Sequence, residues 1–402
     1  MTLSIWHDER TSGTEILDEV DVAIIGGGII GAGCAYQLSK RQGLKTVLFE
    51  SKGVASRSTG RSAGFVLRGI QSYYNNAVQE YGRDRAKSIY EFAEENQRLI
   101  QNFSDETNAN FDLLKCGSYL LASSLDELDD LKASADLMIE DGFGVEYLKD
   151  DPIERDFYGA LHNSGDFAVN PVKMTQALLE HSNATVYEHE EVTSVNPSKN
   201  GSKLFVTTAK RALIADRVLL ATNAFSPLFS SWFADKLSVV RGQIMVTQPL
   251  KKRIVDAICY ANYGFEYFRQ LPCNRLLLGG CRQQFADEEK GFGDRITKSV
   301  QSALESYLKN RFPECAGIPV DYRFSGLMAF TSDGLPLIGE LEKLPGLFFA
   351  VGCNGHGLGF GINMSKTLVE VALDGKDPGI FAYDRDCKPH AAAVAGGPEK
   401  GP

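Results

Sequence analysis

The alternation of hydrophobic and polar residues along the chain predicts a mixture of strands and helices. Near the start, the β-branched run Val20–Ile25 predicts a buried strand, and glycines follow it directly. A helical pattern then extends from Ile30 to Arg41, and a second apolar strand follows at Lys45–Glu50. Strand, helix and strand within about 30 residues predict a βαβ unit with parallel strands and a right-handed crossover.

Farther along, helical and strand-like patterns alternate in blocks. Helices are predicted at Asn76–Phe103, Leu125–Asp141, Pro171–Ser182, Arg295–Arg311 and Ile362–Leu373. Strands are predicted at Leu113–Leu121, Thr185–Tyr187, Leu204–Thr208, Arg217–Thr222 and Leu347–Val351, with several antiparallel strands between Leu237 and Gly280. The βαβ-like pieces are separated by segments of different character. One domain is therefore expected to be assembled from separate segments, with a second domain inserted into it.

The composition is that of an ordinary globular protein. The chain has 402 residues, enough for two hydrophobic cores. Charged residues make up 23% and hydrophobic residues 43%, close to the globular average. The formal net charge of −10 leaves no excess of basic side chains for a phosphate backbone, so nucleic-acid binding is not expected. The eight cysteines include no C-x-x-C pair, so we expect reduced thiols and neither a metal site nor a disulfide framework.

Two further patterns bear on the location of the protein. Residues 1–19 carry several acidic side chains and lack the basic flank and long apolar segment of a secretory signal. No stretch reaches about 18 consecutive apolar residues, the length that crosses a bilayer. The sequence thus predicts a cytoplasmic protein without a transmembrane segment.

The glycines after the first strand form a G-x-G-x-x-G motif at Gly26, Gly28 and Gly31. Placed directly between a strand and a helix, this motif indicates a dinucleotide site. Gly26 permits the tight turn, Gly28 lets the backbone approach a pyrophosphate, and Gly31 lets helix and strand pack closely. Glu50, at the end of the second strand, can accept a hydrogen bond from a ribose 2′-OH. The alternative is an ordinary glycine turn, and the motif alone does not separate NAD from FAD.

Four stretches of the sequence resemble the D-amino-acid oxidase superfamily, which includes glycine oxidase, sarcosine oxidase and other FAD-dependent amine oxidoreductases. They are the fingerprint Gly26–Glu50, the hydroxyl-rich segment Ser56–Gly64, the strand and turn Val218–Ala224, and the turn Thr331–Gly339 followed by the loop Gly352–Gly357. The last pair is the most specific, because a D-G-x-P-x-I-G turn shortly before a G-x-x-G-H-G loop is hard to obtain by chance.

The resemblance implies an α/β (mixed α+β) fold: a Rossmann-like FAD-binding domain with an inserted antiparallel-sheet substrate domain. The FAD-binding domain would comprise residues 1–85, 161–230 and 325–386, and the substrate domain residues 86–160 and 231–324, before a disordered tail at 387–402. By the same resemblance, FAD would contact Gly26, Gly28, Ile30, Gly31, Glu50, Ser51, Ser58, Thr59, Arg61, Ser62, Ala63, Gly64, Val192, Ala221, Thr222, Asn223, Gly326, Gly355, His356, Gly357 and Leu358. The segment Ser56–Gly64 could equally be a solvated loop.

Some branches of the family hold the flavin covalently, through a cysteine or a histidine of the N-terminal region. Gly326 stands where that cysteine would be, and no histidine lies within Ser51–Gly69. The sequence therefore predicts non-covalent FAD. Cys353 lies in the glycine loop, where a small packing residue is the simpler interpretation.

The resemblance assigns substrate-side roles to Tyr267, His356 and Arg68. Tyr267 matches a tyrosine that faces the flavin, although its ring could be ordinary core. His356 could contact flavin or substrate, or it could only fix its loop by hydrogen bonds. Arg68 could anchor a substrate carboxylate, or it could lie at the surface.

Two residues depart from the family pattern. Met328 takes the place of the arginine that clamps a carboxylate in glycine-oxidase-like members, and Gly359 takes that of a lysine in sarcosine-oxidase-like members. These departures put an ordinary α-amino-acid substrate in doubt. With the acidic balance and the segments Gly60–Gly64 and Tyr267–Arg269, they make the chain resemble the γ-glutamylputrescine-oxidase-like branch most. Arg241 fits a family pattern near the domain interface, or is purely structural.

These features predict an enzyme that oxidises the C–N bond of a small amine or amino acid to an imine, which water hydrolyses to a carbonyl product. Oxygen is the expected acceptor and would yield H2O2. One alternative is a dehydrogenase that passes electrons to a quinone or a carrier protein. Another is a non-catalytic flavoprotein assembly factor. The sequence identifies no catalytic base and leaves the oligomeric state open, an oligomer being compatible with it.

Overall fold

The computed structural model describes residues 15–16, 19–198 and 201–385, so the predicted tail at 387–402 lies outside the described residues. The strands are β1 (Glu15–Ile16), β2 (Val20–Ile25), β3 (Thr46–Phe49), β4 (Phe65–Val66), β5 (Ser118–Leu121), β6 (Glu146–Leu148), β7 (Ala160–Asn163), β8 (Phe167–Ala168), β9 (Thr185–Tyr187), β10 (Val192–Pro197), β11 (Leu204–Thr208), β12 (Arg211–Leu220), β13 (Ser238–Pro249), β14 (Ile258–Ala261), β15 (Glu266–Gln270), β16 (Arg275–Gly280), β17 (Val320–Phe330), β18 (Leu337–Glu340) and β19 (Leu347–Val351). The helices are α1 (Ile29–Ser39), α2 (Tyr74–Tyr81), α3 (Arg83–Thr107), α4 (Leu125–Glu140), α5 (Pro171–Glu180), α6 (Ser226–Phe229), α7 (Ser231–Ala234), α8 (Lys298–Arg311) and α9 (Gly357–Asp374).

The first sheet joins strands from the beginning, middle and end of the chain. Its main path runs β10-β11-β12-β2-β3-β9, and β12 also pairs with β1 and β19. The central strands β2, β3, β12 and β19 pair in parallel, as the βαβ pattern predicts. Strand β12 pairs with β2 from the start of the chain and with β19 from its end. The sheet is therefore complete only when these three segments have come together.

Both faces of the first sheet are covered, which explains why its strands are apolar throughout. On β2, Val22 and Ile24 enter the core on the side of α1 and α9. Ala23 and Ile25 enter a second core on the opposite face. The α1 and α9 helices approach closely at Gly33, where a Cβ atom would lie 2.4 Å from Ser365 Oγ.

The second sheet is almost entirely antiparallel. Its order is β17-β13-β16-β15-β14-β5-β7-β6, and within it β14 and β5 pair in parallel. Helix α8 packs on β13 and β16 and buries Val300 and Leu304 in a third core with Phe268 and Phe312. This sheet forms the wall that faces the first sheet's loops, as described below.

Glycines interrupt or shorten two of the predicted elements. The helical pattern Asn76–Phe103 forms two helices, because Gly82 between them has φ +83° and interrupts the helix. The predicted strand Leu113–Leu121 is a strand only over Ser118–Leu121. Gly117, with φ +64°, redirects the chain immediately before it.

Helix α9 begins at Gly357 rather than at the predicted Ile362. Glycines have low helix propensity, so they hide this helix start in the sequence. Packing decides the outcome. A Cβ atom at Gly359 would lie 2.9 Å from Leu67 O, and one at Gly361 would lie 3.1 Å from Ile29 Cγ2. The glycines therefore allow the helix start to press against its neighbours.

The predicted domain boundaries differ in detail from the division between the two sheets. Strand β17 belongs to the second sheet and spans residues 320–330, so the predicted boundary between residues 324 and 325 falls inside it. Helix α3, in the predicted substrate segment, packs against α9 beside the first sheet. Among the described residues, no helix is both long enough and apolar enough to cross a membrane.

A buried ion pair organises the loop between β16 and α8. Arg241 and Glu289 pair at 2.8 Å, and both side chains are 1% exposed. The other guanidinium nitrogens of Arg241 donate to the carbonyl oxygens of Glu288 and Gly293. Glu289 also accepts from Gln243 at 3.0 Å. Such complete hydrogen bonding is what makes a buried pair tolerable, so Arg241 has a structural role at this loop.

We expect Arg241→Met to lower the free energy of unfolding by about 3 kcal/mol or more, because it leaves the Glu289 carboxylate buried without a counter-charge. The urea midpoint followed by circular dichroism measures the loss. Lys132→Gln, which breaks the exposed pair with Asp136, is the matched control and should leave the midpoint unchanged. Equal midpoints for wild type and Arg241→Met would contradict this account.

Candidate active site

The turn between β2 and α1 is closed by backbone atoms at two glycines. Gly26 has φ +110°, and a Cβ atom there would lie 2.8 Å from Ala221 O. At Gly31 a Cβ atom would lie 1.8 Å from Gly26 O. Gly28 is the N-cap of α1 and offers no side-chain cap, so the first N–H groups of the helix can meet an anionic group. The turn thus has the form that a pyrophosphate requires.

The carboxylate of Glu50 holds this turn in place. Its carboxylate accepts from Gly27 N at 2.7 Å and from Lys52 N at 2.8 Å, and the residue is 7% exposed. From the sequence, Glu50 is expected to contact a ribose. The structure adds a second role, because the acid at the end of β3 also holds the glycine turn of the neighbouring strand.

The segment Ser58–Gly64 connects the glycine turn to the second sheet. Thr59 Oγ1 accepts from Ile29 N at 3.1 Å, at the start of α1. Ser58 Oγ donates to Leu327 O at 2.7 Å on β17. Arg61 donates to Ser325 O at 3.0 Å and pairs with Asp294. The segment therefore bridges the two sheets through hydrogen bonds.

The loop Gly352–Gly357 carries the start of α9 to the same place. Asn223 Oδ1 accepts from Gly352 N at 2.9 Å and from Cys353 N at 3.3 Å. His356 Nδ1 lies 3.1 Å from Asn354 O. Burial lowers the pKa of His356, so its imidazole is neutral at pH 7. His356 therefore fixes its loop through this hydrogen bond and also lines the cavity.

These elements surround a continuous cavity of about 1810 Å³. At one end it is lined by Glu50 and the strand Val192–Pro197, and at the other by Tyr267 and His356. Ordinary small-ligand cavities hold about 300–1,000 Å³. The larger volume and the glycine turn on its wall fit a long dinucleotide together with a small second molecule.

Most residues that the sequence assigns to cofactor and substrate line this cavity. Those that line it are Gly26, Gly28, Ile30, Glu50, Ser51, Ser58, Thr59, Arg61, Ser62, Ala63, Val192, Ala221, Thr222, Asn223, Gly326, Gly355, His356, Gly357, Leu358, Tyr267 and Arg68. Gly31 and Gly64 lie behind the wall. Gly31 packs against Gly26, and a Cβ atom at Gly64 would lie 2.3 Å from Val169 O.

Tyr267 belongs to an aromatic cluster at the end of the cavity. Tyr260 is its cross-strand partner on β14, with ring centroids 5.8 Å apart. Phe65 lies 5.5 Å from Tyr260 and 6.2 Å from Tyr267. A Cβ atom at Gly279 would lie 2.3 Å from the Tyr267 ring, so this glycine makes room for it. Burial raises the pKa of Tyr267 to about 12, which keeps the phenol protonated at neutral pH.

Arg68 is buried rather than at the surface, since its side chain is 5% exposed. Its Nε lies 3.2 Å from Glu94 Oε1, and its guanidinium lies 5.5 Å from the centre of the Phe143 ring. It lines the cavity with Glu94 as its acidic neighbour, and its Nε and Nη1 are buried without a hydrogen-bond partner among the described residues. A second anion would therefore have to compete with Glu94.

The positions that depart from the family pattern have clear packing reasons. Met328 lines the cavity, and its Cε lies 3.0 Å from the position of a Cβ at Gly242. A Cβ atom at Gly326 would lie 3.0 Å from Arg61 Cβ, so a side chain there would push on the bridging segment. At Gly359 the close contact with Leu67 O leaves no space for a lysine. Burial raises the pKa of Cys353 to about 12, so its thiol is a poor nucleophile.

The cavity residues absent from the sequence-based prediction include Tyr260, Arg282 and Phe330. Tyr260 follows from the register of the β14–β15 hairpin, which the sequence pattern does not specify. The Gly279–Gly280 pair before Arg282 was the available signal, because paired glycines at a strand end mark a close backbone approach. Nothing in the sequence marked Phe330.

Comparisons with known proteins agree with this geometry. The model of the family described as DAO, FAD dependent oxidoreductase, matches residues 21–371. The chain is 24% identical over 390 residues to the probable oxidoreductase OrdL of Haemophilus influenzae, covering 92% of this chain and 86% of that protein. It is 23% identical over 355 residues to the gamma-glutamylputrescine oxidoreductase of Escherichia coli, covering 84% and 80%. The crystal structure of glycine oxidase from Geobacillus kaustophilus matches with a TM-score of 0.75 and 22% identity, over 92% of this chain and all of that chain, which confirms the predicted fold class.

We expect Gly31→Ala to weaken FAD binding by about 10- to 100-fold, the equivalent of the roughly 1–3 kcal/mol that overpacking costs. The added Cβ would force Gly26 O, and with it the glycine turn, to move. Titration of apoprotein with FAD, followed by flavin fluorescence, measures the affinity. Gly144→Ala is the matched control, because nothing lies within 4 Å of a Cβ there. Wild-type FAD affinity in Gly31→Ala would show that the turn Gly26–Gly31 does not form the cradle, that is, the binding site of the FAD pyrophosphate.

Proposed function

The chain belongs to the DAO family of FAD-dependent oxidoreductases, which confirms the resemblance drawn from its motifs, and from that premise we propose that it oxidises the C–N bond of a small amine or amino acid. The product would be an imine that water hydrolyses to a carbonyl compound. The observation that carries this proposal is the continuity of the cavity from the glycine turn to the aromatic wall around Tyr267. A substrate bound at that wall would lie at the same end of the cavity as the α9 loop.

Bound FAD would supply the redox chemistry, the uptake of a hydride equivalent from the carbon that bears nitrogen. The turn Gly26–Gly31 and Glu50 would hold its adenosine diphosphate part, and the segment Ser58–Ala63 and the α9 loop would hold the rest. The N-terminus of α9, with its unpaired N–H groups, would favour negative charge beside it. We propose non-covalent binding, which the protonated Cys353 thiol supports.

The substrate side of the cavity suits a neutral amine. Tyr260, Tyr267 and Phe65 present an apolar wall that excludes water and can orient the C–H bond. His356 is neutral and Tyr267 is protonated at pH 7, so neither adds charge there. A deprotonated amine needs no separate base. The wall residues would therefore act by positioning.

The relatives point in the same direction. One is described as a glycine oxidase and another as a gamma-glutamylputrescine oxidoreductase, and both names denote chemistry on amines. The second name supports the branch proposed from the sequence. We propose O2 as electron acceptor, with a quinone or carrier protein as the alternative. The described cysteines are free thiols, which suits the reducing cytoplasm where we propose that the protein works.

An anaerobic screen tests the proposal directly. Purified holoenzyme is mixed with amines, N-methyl amino acids and amino acids, and loss of the oxidised flavin absorbance is followed. We expect at least one amine class to bleach the flavin, and mixing with O2 to restore it with formation of H2O2. Slow reoxidation would assign the electrons to another acceptor. A flavin that none of these compounds bleaches would favour a non-catalytic role.

The pH dependence of kcat/KM should be set by the ammonium group of the substrate and not by a titrating group of the protein. Because only the neutral amine reacts, kcat/KM should rise about tenfold per pH unit below the pKa of the substrate ammonium group. No falling limb is expected between about pH 7 and 10, since Tyr267 loses its proton only near pH 12. Two substrates with different ammonium pKa values should give profiles displaced by that difference. Coincident profiles would instead assign the titration to a protein group.

A further inference from the structure

Arg282 is directed into the cavity by the turn that ends β16. Gly280 has φ +123°, and a Cβ atom there would lie 1.9 Å from Phe265 O. Cys281 follows in the left-handed region with φ +60°. Arg282 then begins a short 3-10 turn, Arg282–Phe285, and lines the cavity. Its backbone position is thus set by a close chain crossing.

The guanidinium of Arg282 lies between two aromatic rings. Its central carbon is 5.5 Å from the centre of the Phe265 ring and 5.1 Å from that of Phe330. Stacking of this kind orients the plane of the group but leaves its N–H edges free to donate. Burial lowers the pKa of Arg282 from its ordinary value, and the nearby Tyr267 hydroxyl opposes this. The group nevertheless remains charged at neutral pH.

Within the described part of the chain, Arg282 has neither an ion pair nor a hydrogen bond to its guanidinium. Three other arginines in or near the cavity differ in this respect, whereas Arg57 lies over the Phe225 ring. Arg61 pairs with Asp294, Arg68 with Glu94, and Arg241 with Glu289. A half-buried cation without a counter-charge has lost part of its hydration, and an anionic ligand in the cavity would offset that cost.

Arg282 also lies close to the reactive end of the cavity. The Phe330 ring on which it stacks approaches Gly355, with 3.9 Å between Cζ and the position of a Cβ there. Met328 Sδ lies 3.8 Å from the same position. An anion held by Arg282 would therefore sit beside Tyr267 and opposite the loop of His356.

We propose that Arg282 binds the carboxylate of the substrate, so that the substrate is an amine that also carries a carboxylate. A carboxylate matches the planar fork of the guanidinium and can accept two parallel hydrogen bonds. This assignment is preferred to Arg68, because Arg68 has an acidic neighbour in Glu94 and Arg282 has none among the described residues. It rests on the proposed amine oxidation for the identity of the ligand, but the anion site can be tested without turnover.

The first test titrates oxidised holoenzyme with benzoate and butanoate, with benzamide and butanamide as uncharged partners. Binding is followed by the flavin spectrum and by calorimetry. We expect the carboxylates to bind and the amides to bind far more weakly. Arg282→Gln should raise the carboxylate Kd by about 10- to 100-fold, as expected when charge-assisted hydrogen bonds are lost. Arg282→Lys keeps the charge but loses the fork, so its Kd should be intermediate.

Arg275→Gln is the matched control. Arg275 lies on the same strand as the turn to Arg282, but it pairs with Asp321 away from the cavity, so its loss should leave the carboxylate Kd unchanged. Flavin content and thermal midpoints establish that each variant is folded. Equal carboxylate binding by wild type and folded Arg282→Gln would overturn the proposal, as would an equal effect of Arg275→Gln.

The second test compares amino acids with their carboxamides as reductants under anaerobic conditions. For wild type we expect the carboxylates to be preferred, and for Arg282→Gln this preference should fall by about 10- to 100-fold, mainly through KM. Bleaching by amines that is indifferent to the carboxylate would overturn the role of Arg282 and leave amine oxidation standing. Carboxylate binding through Arg282 without bleaching by any amine would support the anion site and overturn amine oxidation.

Discussion

The close approach of backbone to backbone at the β2–α1 turn is the constraint on which the rest of the structure depends. Gly31 packs directly against Gly26 O, and Gly26 packs against the carbonyl oxygen of Ala221, the residue that follows β12. No side chain could stand at either point. The first helix is thereby brought against the sheet, and its N-terminus opens onto the cavity. Glycines allow similarly close contacts between α9 and Leu67 and between α1 and Ser365.

The two sheets are joined by polar contacts as well as by apolar packing. The segment Ser58–Ala63 hydrogen-bonds to the start of α1 on one side and to β17 on the other. Arg61 also pairs with Asp294, in the loop that the buried Arg241–Glu289 pair organises. A change at the buried pair can therefore reach the cofactor segment through a short series of contacts.

The two ends of the cavity differ in their electrostatics. Helix N-termini and backbone N–H groups line the cradle and favour negative charge. The wall is aromatic, with a neutral imidazole at His356 and a protonated phenol at Tyr267. Arg282 is the cation of that wall without an acidic partner in the described residues. Such a site orients and selects a molecule, while the cofactor carries the electrons.

The sequence by itself determined the elements whose signals are local: the strand-glycine-helix turn, the acid at the end of the next strand, and the family that these motifs indicate. Only the tertiary structure decided that α9 begins at Gly357, that Glu50 holds the glycine turn, that Arg68 is paired, and that Arg282 enters the cavity. The reason is physical. A turn or a strand follows from the conformational preferences of neighbouring residues, but a helix that starts in glycines, an ion pair or an unpaired charge depends on atoms from distant parts of the chain.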